Sequence, residues 1–148
     1  MYTIETVISF EAAHRLYDVD TYSKECADSV HGHSYKVRVV ACRRSQNDAG
    51  MVVDFKLFKK IIKEQIEQKY DHSIILRSCD PLVEAFAKVA PEQHINVVEG
   101  SPTAEWMAEE YFDVLENEFY RLDHEVKVVS VSVQETENNI ATFSRKDD

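Results

Sequence analysis

His31-Gly32-His33 sets two imidazoles two residues apart, a pair that can hold a cation if both rings face the same way. On a β-strand they do, because strand side chains alternate with period 2. Tyr35, Val37, Val39 and Ala41 share their face, and Lys36 and Arg38 take the other, so His31 and His33 lie on the apolar, inward side. His14, at the end of an earlier strand, offers a third imidazole, which completes the three-ligand, one-open-position pattern of catalytic zinc. Gly32 lets backbone and ligand approach. His94 and His124 have no such company and read as ordinary core or surface residues.

Four further sites carry chemical residue types. Cys26 lies in the loop before His31; a thiol beside a metal and a histidine can act as base or nucleophile, and a small buried hydrophobe is the equal alternative. Cys42 and Cys79 suit the latter description. Asp71-His72 directly follows a helix, so the two are either an acid/base pair or a helix-end histidine beside a turn residue. Glu135 falls on the face of Val129, Val131 and Val133. A carboxylate buried there needs hydrogen-bond donors, such as the adjacent N–H groups of a pterin or guanine edge, unless the strand end already reaches solvent. Thr103 and Glu105 open a helix, where a hydroxyl caps and a negative charge meets the dipole.

The elements that must position these groups follow from periodicity. Residues Tyr2 to Phe10 alternate as a strand that runs on to His14, and Tyr17 to Val30 form a loop whose length suggests function. A second strand spans about His33 to Arg43 and ends in the turn signal Ser45 to Gly50. Met51-Val52-Val53 reads as a short strand, and Asp54 caps a helix to near Tyr70 with Phe55, Leu57, Phe58, Ile61, Ile62 and Ile66 on its stripe. After the apolar run Ile74-Ile75-Leu76, Asp80-Pro81 starts a brief helix to about Val89, and Ile95 to Val98 is a small strand. Ser101-Pro102 is a cap-plus-proline start for a long helix bearing Ala108, Tyr111, Phe112, Leu115, Phe119 and Leu122. Val126 to Glu135 and Ile140 to Ser144 are the closing strands, and Lys146 to Asp148 look loose. Strands in runs around a helix pair imply an α+β fold, a four-stranded antiparallel sheet with both helices on one face. Its free edges favour oligomerisation.

At 148 residues one domain, 1–148, is expected. A formal charge of −10 argues against nucleic acid or an anionic membrane as partner, so local cations must hold any anionic ligand. An odd count of 3 cysteines fits a reducing compartment. Without a signal-peptide pattern or membrane-spanning run, a cytoplasmic address is expected.

Together, Phe10-Glu11-Ala12-Ala13-His14-Arg15-Leu16, Cys26 before His31-Gly32-His33-Ser34-Tyr35, Gly50-Met51-Val52-Val53-Asp54-Phe55, Asp71-His72, Pro102-Thr103-Ala104-Glu105 and Glu135-Thr136 resemble the 6-pyruvoyl-tetrahydropterin synthase family, which includes the 6-carboxytetrahydropterin synthases of queuosine (deazaguanine) biosynthesis. The resemblance implies the tunnelling fold, β2α2β2, with trimers whose sheets close into a barrel and stack as a homohexamer with active sites between subunits. It makes His14, His31 and His33 the Zn2+ ligands, Cys26 the catalytic thiol, and Asp71 and His72 its acid/base partners from a neighbouring subunit. Glu135 matches the pterin anchor, with Thr103 and Glu105 lining the pocket. The implied substrate is 7,8-dihydroneopterin triphosphate, and the favoured product 6-carboxy-5,6,7,8-tetrahydropterin with release of acetaldehyde and triphosphate. The pyruvoyl product without side-chain cleavage, or a non-catalytic zinc- or pterin-binding relative, are the alternatives. A cupin-like site is disfavoured by the lack of a following Glu. Two departures stand out. Four residues separate Cys26 from His31, a spacing between those of the two branches, and Asp28 stands near where some relatives carry a glutamate. The segment Leu82 to Val98 is a long insert. Arg15, Lys24 and Lys36 are the candidate triphosphate cations.

Overall fold

The computed structural model describes residues 1–145, so the expectation for Lys146 to Asp148 lies outside the described residues. Strands β1 (Tyr2–His14) and β2 (His31–Arg43) pair antiparallel along their whole length, from Tyr2 opposite Arg43 to His14 opposite His31. The loop between them contains one short helix, α1 (Glu25–Asp28). Inward alternation buries Ile8, Phe10, Ala12 and His14 on β1 and Tyr35, Val37, Val39 and Ala41 on β2.

An N-cap carboxylate starts the next helix: Asp54 accepts from the amides of Lys56 and Leu57 and opens α2 (Phe55–Ile62). The rod continues through a π-helical turn (Lys63–Glu67) into α3 (Gln68–Tyr70), with Phe58, Ile62, Ile66 and Tyr70 buried. Phe55 and Leu57 belong to the expected stripe but stay exposed on the first turn. Met51-Val52-Val53 is not a strand. The Asn47 side chain takes the Ala49 and Met51 amide protons, which turns the chain aside while Val52 and Val53 still reach the core.

Strands β3 (Ser73–Arg77) and β4 (Ile95–Val98) flank helix α4 (Pro81–Val89), and α5 (Ala104–Leu122) precedes β5 (Lys127–Thr136) and β6 (Asn139–Phe143). The sheet is therefore six-stranded, in the order β4-β3-β1-β2-β5-β6, and not four-stranded. The expected antiparallel four, β1-β2-β5-β6, form one part of it, and β3 and β4 add in parallel at the β1 side. The insert supplies β4, and β3 precedes it. Ile75 and Leu76 are both fully buried although adjacent, the pattern of a strand covered on both faces.

Helices α2 and α5 pack on one face of the sheet, α5 against β5 and β6 and α2 against β1. The cap of α5 is Thr103, whose hydroxyl accepts from the Trp106 amide, two residues later than Ser101-Pro102 would place it. Ala108, Tyr111, Phe112, Leu115 and Phe119 are buried, while Leu122, in the last turn, is exposed. A bulge in β5 puts Val40 opposite Ser130 but Ala41 opposite Val128, so Val129 turns outward instead of sharing the face of Val131.

Gly100 lies where a Cβ would come 2.0 Å from the Trp106 indole nitrogen. Gly100→Ala forces that ring to move and is expected to cost about 1–3 kcal/mol of stability, read as a lower urea midpoint at unchanged m.

Candidate active site at a three-histidine cleft

The antiparallel register places His14 directly opposite His31 and Ala12 opposite His33, so three imidazoles meet at one end of the β1–β2 pair. Their potential ligand atoms all lie within 4.8 Å of one another. His14 Nε2 is 3.0 Å from His31 Nε2 and 3.2 Å from His33 Nε2.

The other ring nitrogens fix the protons. His14 Nδ1 lies 2.7 Å from the Pro102 carbonyl and His31 Nδ1 lies 2.9 Å from the Ser29 carbonyl. A carbonyl oxygen only accepts, so both Nδ1 atoms donate and both Nε2 atoms present lone pairs. His14 and His31 thus face each other lone pair to lone pair. A shared proton is disfavoured: burial first, and then the neighbouring His31 and His33, lower the His14 pKa to about 4 against the opposing Pro102 bond. Burial also lowers that of His33. A divalent cation satisfies all three nitrogens. Tetrahedral Zn–N bonds separate ligand nitrogens by roughly 3.3–3.4 Å, close to the spacing here. Carbonyl bonds to the remote nitrogens are the usual outer support of metal-binding histidines.

These rings line a cleft of about 620 Å³ together with Cys26, Thr103, Glu105 and Glu135. Cys26 is half-buried, and its carbonyl accepts from the Leu16 amide at 2.8 Å, which folds the loop back over the end of β1. Glu135 Oε1 is 3.9 Å from His14 Nε2. Glu135 lies at a second irregularity of β5, where Gln134 pairs with Ile140 but Thr136 with Asn139. Burial first, then the charge of Glu105, raises its pKa, with His31 opposing. Its charge is therefore disfavoured in the cleft unless donors from a ligand meet it.

Asp71 and His72 are not at this cleft. His72 lines an adjoining cleft with Glu11, Ala13, Gly32 and Ser34, which His33 also borders, and Asp71 lines a further one with His72, Lys63 and Glu67. Asp71 and His72 form a defined pair: His72 Nδ1 is 2.9 Å from Asp71 Oδ2, and Asp71 Oδ1 accepts from the Glu11 amide at 2.9 Å. That amide bond, and after it His72, hold the Asp71 carboxyl below its usual range. His72 has φ 56°, a left-handed conformation uncommon outside glycine, and its amide donates to the Glu11 carbonyl at 2.7 Å. The ring is exposed to solvent.

Other expectations change. Asp28 is exposed and does not line the cleft, and Cys79 is exposed and no core residue. Arg15 is taken by Asp80, and Lys24 and Lys36 point away as exposed residues. The β5–β6 turn, Asn138 to Ala141, forms a cleft wall that no sequence signal marks. Beneath the histidines, the fully buried Tyr35 hydroxyl has no hydrogen-bond partner among the described residues, and its ring sits 5.4 Å from that of His33.

Comparison with known proteins identifies a family. The profile of a family described as 6-pyruvoyl tetrahydropterin synthase matches residues 3–146. The chain is 32% identical to the 6-carboxy-5,6,7,8-tetrahydropterin synthase of Aquifex aeolicus over 97% of this chain and 98% of that one. It is 30% identical to the protein of the same name from Rickettsia conorii over 88% and 91%. Among solved structures, an uncharacterized protein from Wolinella succinogenes superposes with a TM-score of 0.84 at 25% identity, covering 98% of each chain.

Neutral His14 makes the metal-free protein sensitive to acid. With a folded pKa of about 4 against 6.5 unfolded, its contribution is fully present above pH 6.5 and is lost as pH falls towards 4. The loss should approach about 3 kcal/mol, read from urea midpoints across that window, and His14→Gln should flatten it.

Proposed function

The chain belongs to the 6-pyruvoyl tetrahydropterin synthase family of lyases, and we propose that it is a zinc enzyme converting 7,8-dihydroneopterin triphosphate to 6-carboxy-5,6,7,8-tetrahydropterin, acetaldehyde and triphosphate. The observation that carries the reading is the lone-pair contact of His14 and His31, 3.0 Å apart, in a cleft that also holds a thiol and a carboxylate. The carboxy product is favoured because the relatives sharing 30% and 32% identity over most of the chain bear that name.

Zinc on His14, His31 and His33 supplies Lewis acidity to the hydroxyls of the substrate side chain. Cys26 reaches the same cleft and takes the carbinol proton as its thiolate. Glu135 accepts the paired N–H groups of the pterin edge, and Thr103 and Glu105 line the adjoining wall. Asp71 and His72 lie outside this cleft, so the reading assigns them as proton relay to the site of a neighbouring copy. Residues 1–148 then act as one domain in a homohexamer, a dimer of trimers joined through the β4 and β6 edges of the sheet. A cytoplasmic, reducing location keeps the thiol available; among the described residues no helix is long and apolar enough to cross a membrane.

Product identification tests the reading. The zinc-loaded protein given 7,8-dihydroneopterin triphosphate should release acetaldehyde and 6-carboxytetrahydropterin. A 6-pyruvoyl product without acetaldehyde would overturn the carboxy assignment, and no turnover at full metal occupancy would leave a binding module. Cys26→Ala should lower kcat by about 10²–10⁴-fold while retaining the metal.

A further inference from the structure

Arg15 is the residue after the ligand His14, and its guanidinium is gripped in fork geometry by one carboxylate. Nε lies 2.7 Å from Asp80 Oδ2 and a terminal nitrogen 2.5 Å from Asp80 Oδ1. The Asp80 side chain has no solvent exposure, and that of Arg15 only 14%. Asp80 opens the insert. Its amide donates to the Arg77 carbonyl at 2.9 Å, closing the turn after β3, and Oδ1 also accepts from the Leu82 amide at 2.8 Å, capping α4. The parallel register of β3 on β1, with Ile75 opposite His14, carries Asp80 to the place where β1 ends.

At that place the Cys26 loop departs. The Arg15 guanidinium stacks over the Tyr17 ring at 5.1 Å, and the next residue, Leu16, donates to the Cys26 carbonyl at 2.8 Å. A bidentate pair on a fully buried carboxylate has one geometry, because losing Arg15 strands the Asp80 charge away from water. The first two residues after His14 are thereby fixed from both sides. Cys26, half-buried in a loop otherwise short of regular structure, is tied to the second of them.

We propose that Asp80 is a positioning residue: by clamping Arg15, the insert fixes where the loop leaves β1 and so holds Cys26 against the three-histidine cleft. This rests on the reading of Cys26 as the base, but its geometric part does not. The insert would then serve the site without lining it.

The test uses the zinc-loaded protein and two variants. Asp80→Asn keeps an N-cap acceptor and removes the charge, and Arg15→Lys keeps the charge and removes the fork. Iodoacetamide labelling, scored peptide by peptide, should run about tenfold faster at Cys26 in both variants, as expected for release from local protection, with Cys42 unchanged. With 7,8-dihydroneopterin triphosphate, kcat should fall on the order of 10²-fold and KM stay within about threefold, as a displaced catalytic group behaves. An unchanged Cys26 labelling rate overturns the proposal. So does equal acceleration at Cys42, which would make Asp80 a fold-wide support only. Should Cys26→Ala leave turnover of the parent intact, the base reading fails, while the labelling rates still decide the positioning of Cys26.

Discussion

Two backbone carbonyls govern this molecule's chemistry. Pro102 and Ser29 each take the Nδ1 proton of a histidine, and by doing so turn the Nε2 lone pairs of His14 and His31 toward each other. Without those two contacts the rings could rotate or exchange tautomers and settle as an ordinary hydrogen-bonded pair. With them, the lone pairs of His14 and His31 face each other at the sheet end, and His33, whose Nε2 lies 3.2 Å from His14 Nε2, is the ring left free to take either tautomer. Burial disfavours protonation of His14, and the cluster is compatible with a bound cation. The carbonyls come from different parts of the chain, the loop before β2 and the approach to α5, so the site is complete only when the first meets the start of β2 and the second the end of β1.

The sheet supplies the rest of the geometry. The unbroken antiparallel register of β1 and β2 brings two residues 17 apart in sequence ring to ring. Regularity at this end contrasts with β5, where irregular pairing beside Glu135 brings a carboxylate to within 3.9 Å of the same nitrogen. Regular strands set the three histidines, and an interruption aims the Glu135 carboxylate. Bulges beside functional sites commonly serve this purpose.

That division explains what could be read in advance. His31, Gly32 and His33 announce themselves because period 2 is a property of local backbone, and His14 ends an alternating run of its own. The α+β character and the caps at Asp54 and Asp80 are local too, and both hold. What escaped depends on pairs far apart in sequence. The outward turn of Val129 comes from a bulge set by β2, and the strand pattern of Met51 to Val53 loses to the Asn47 side chain, which captures the Ala49 and Met51 amides. Ile95 to Val98 was legible as a strand, but the placing of β3 and β4 in the sheet needed the β1 edge. The link between Arg15 and Asp80 spans 65 residues, and nothing in either segment signals the other.

Charge decides how the proposed substrate can lie. Among the described residues the cleft is lined by Glu105 and Glu135 but by no lysine or arginine, and Arg15, the nearest cation in sequence, spends two of its donor nitrogens on Asp80. A triphosphate laid along the carboxylates would meet repulsion at both, in a chain already carrying −10. The pterin end, rich in N–H donors, is the only part that gains from that wall. On the proposed reading the ligand therefore enters with its heterocycle toward Glu135, its hydroxyls at the histidines and its phosphates directed outward. The cations that meet them must come from beyond this cleft, as must the Asp71–His72 pair. On the same proposed reading, a single copy carries the metal ligands, the thiol and the anchor, and a neighbouring copy supplies what its own cleft lacks.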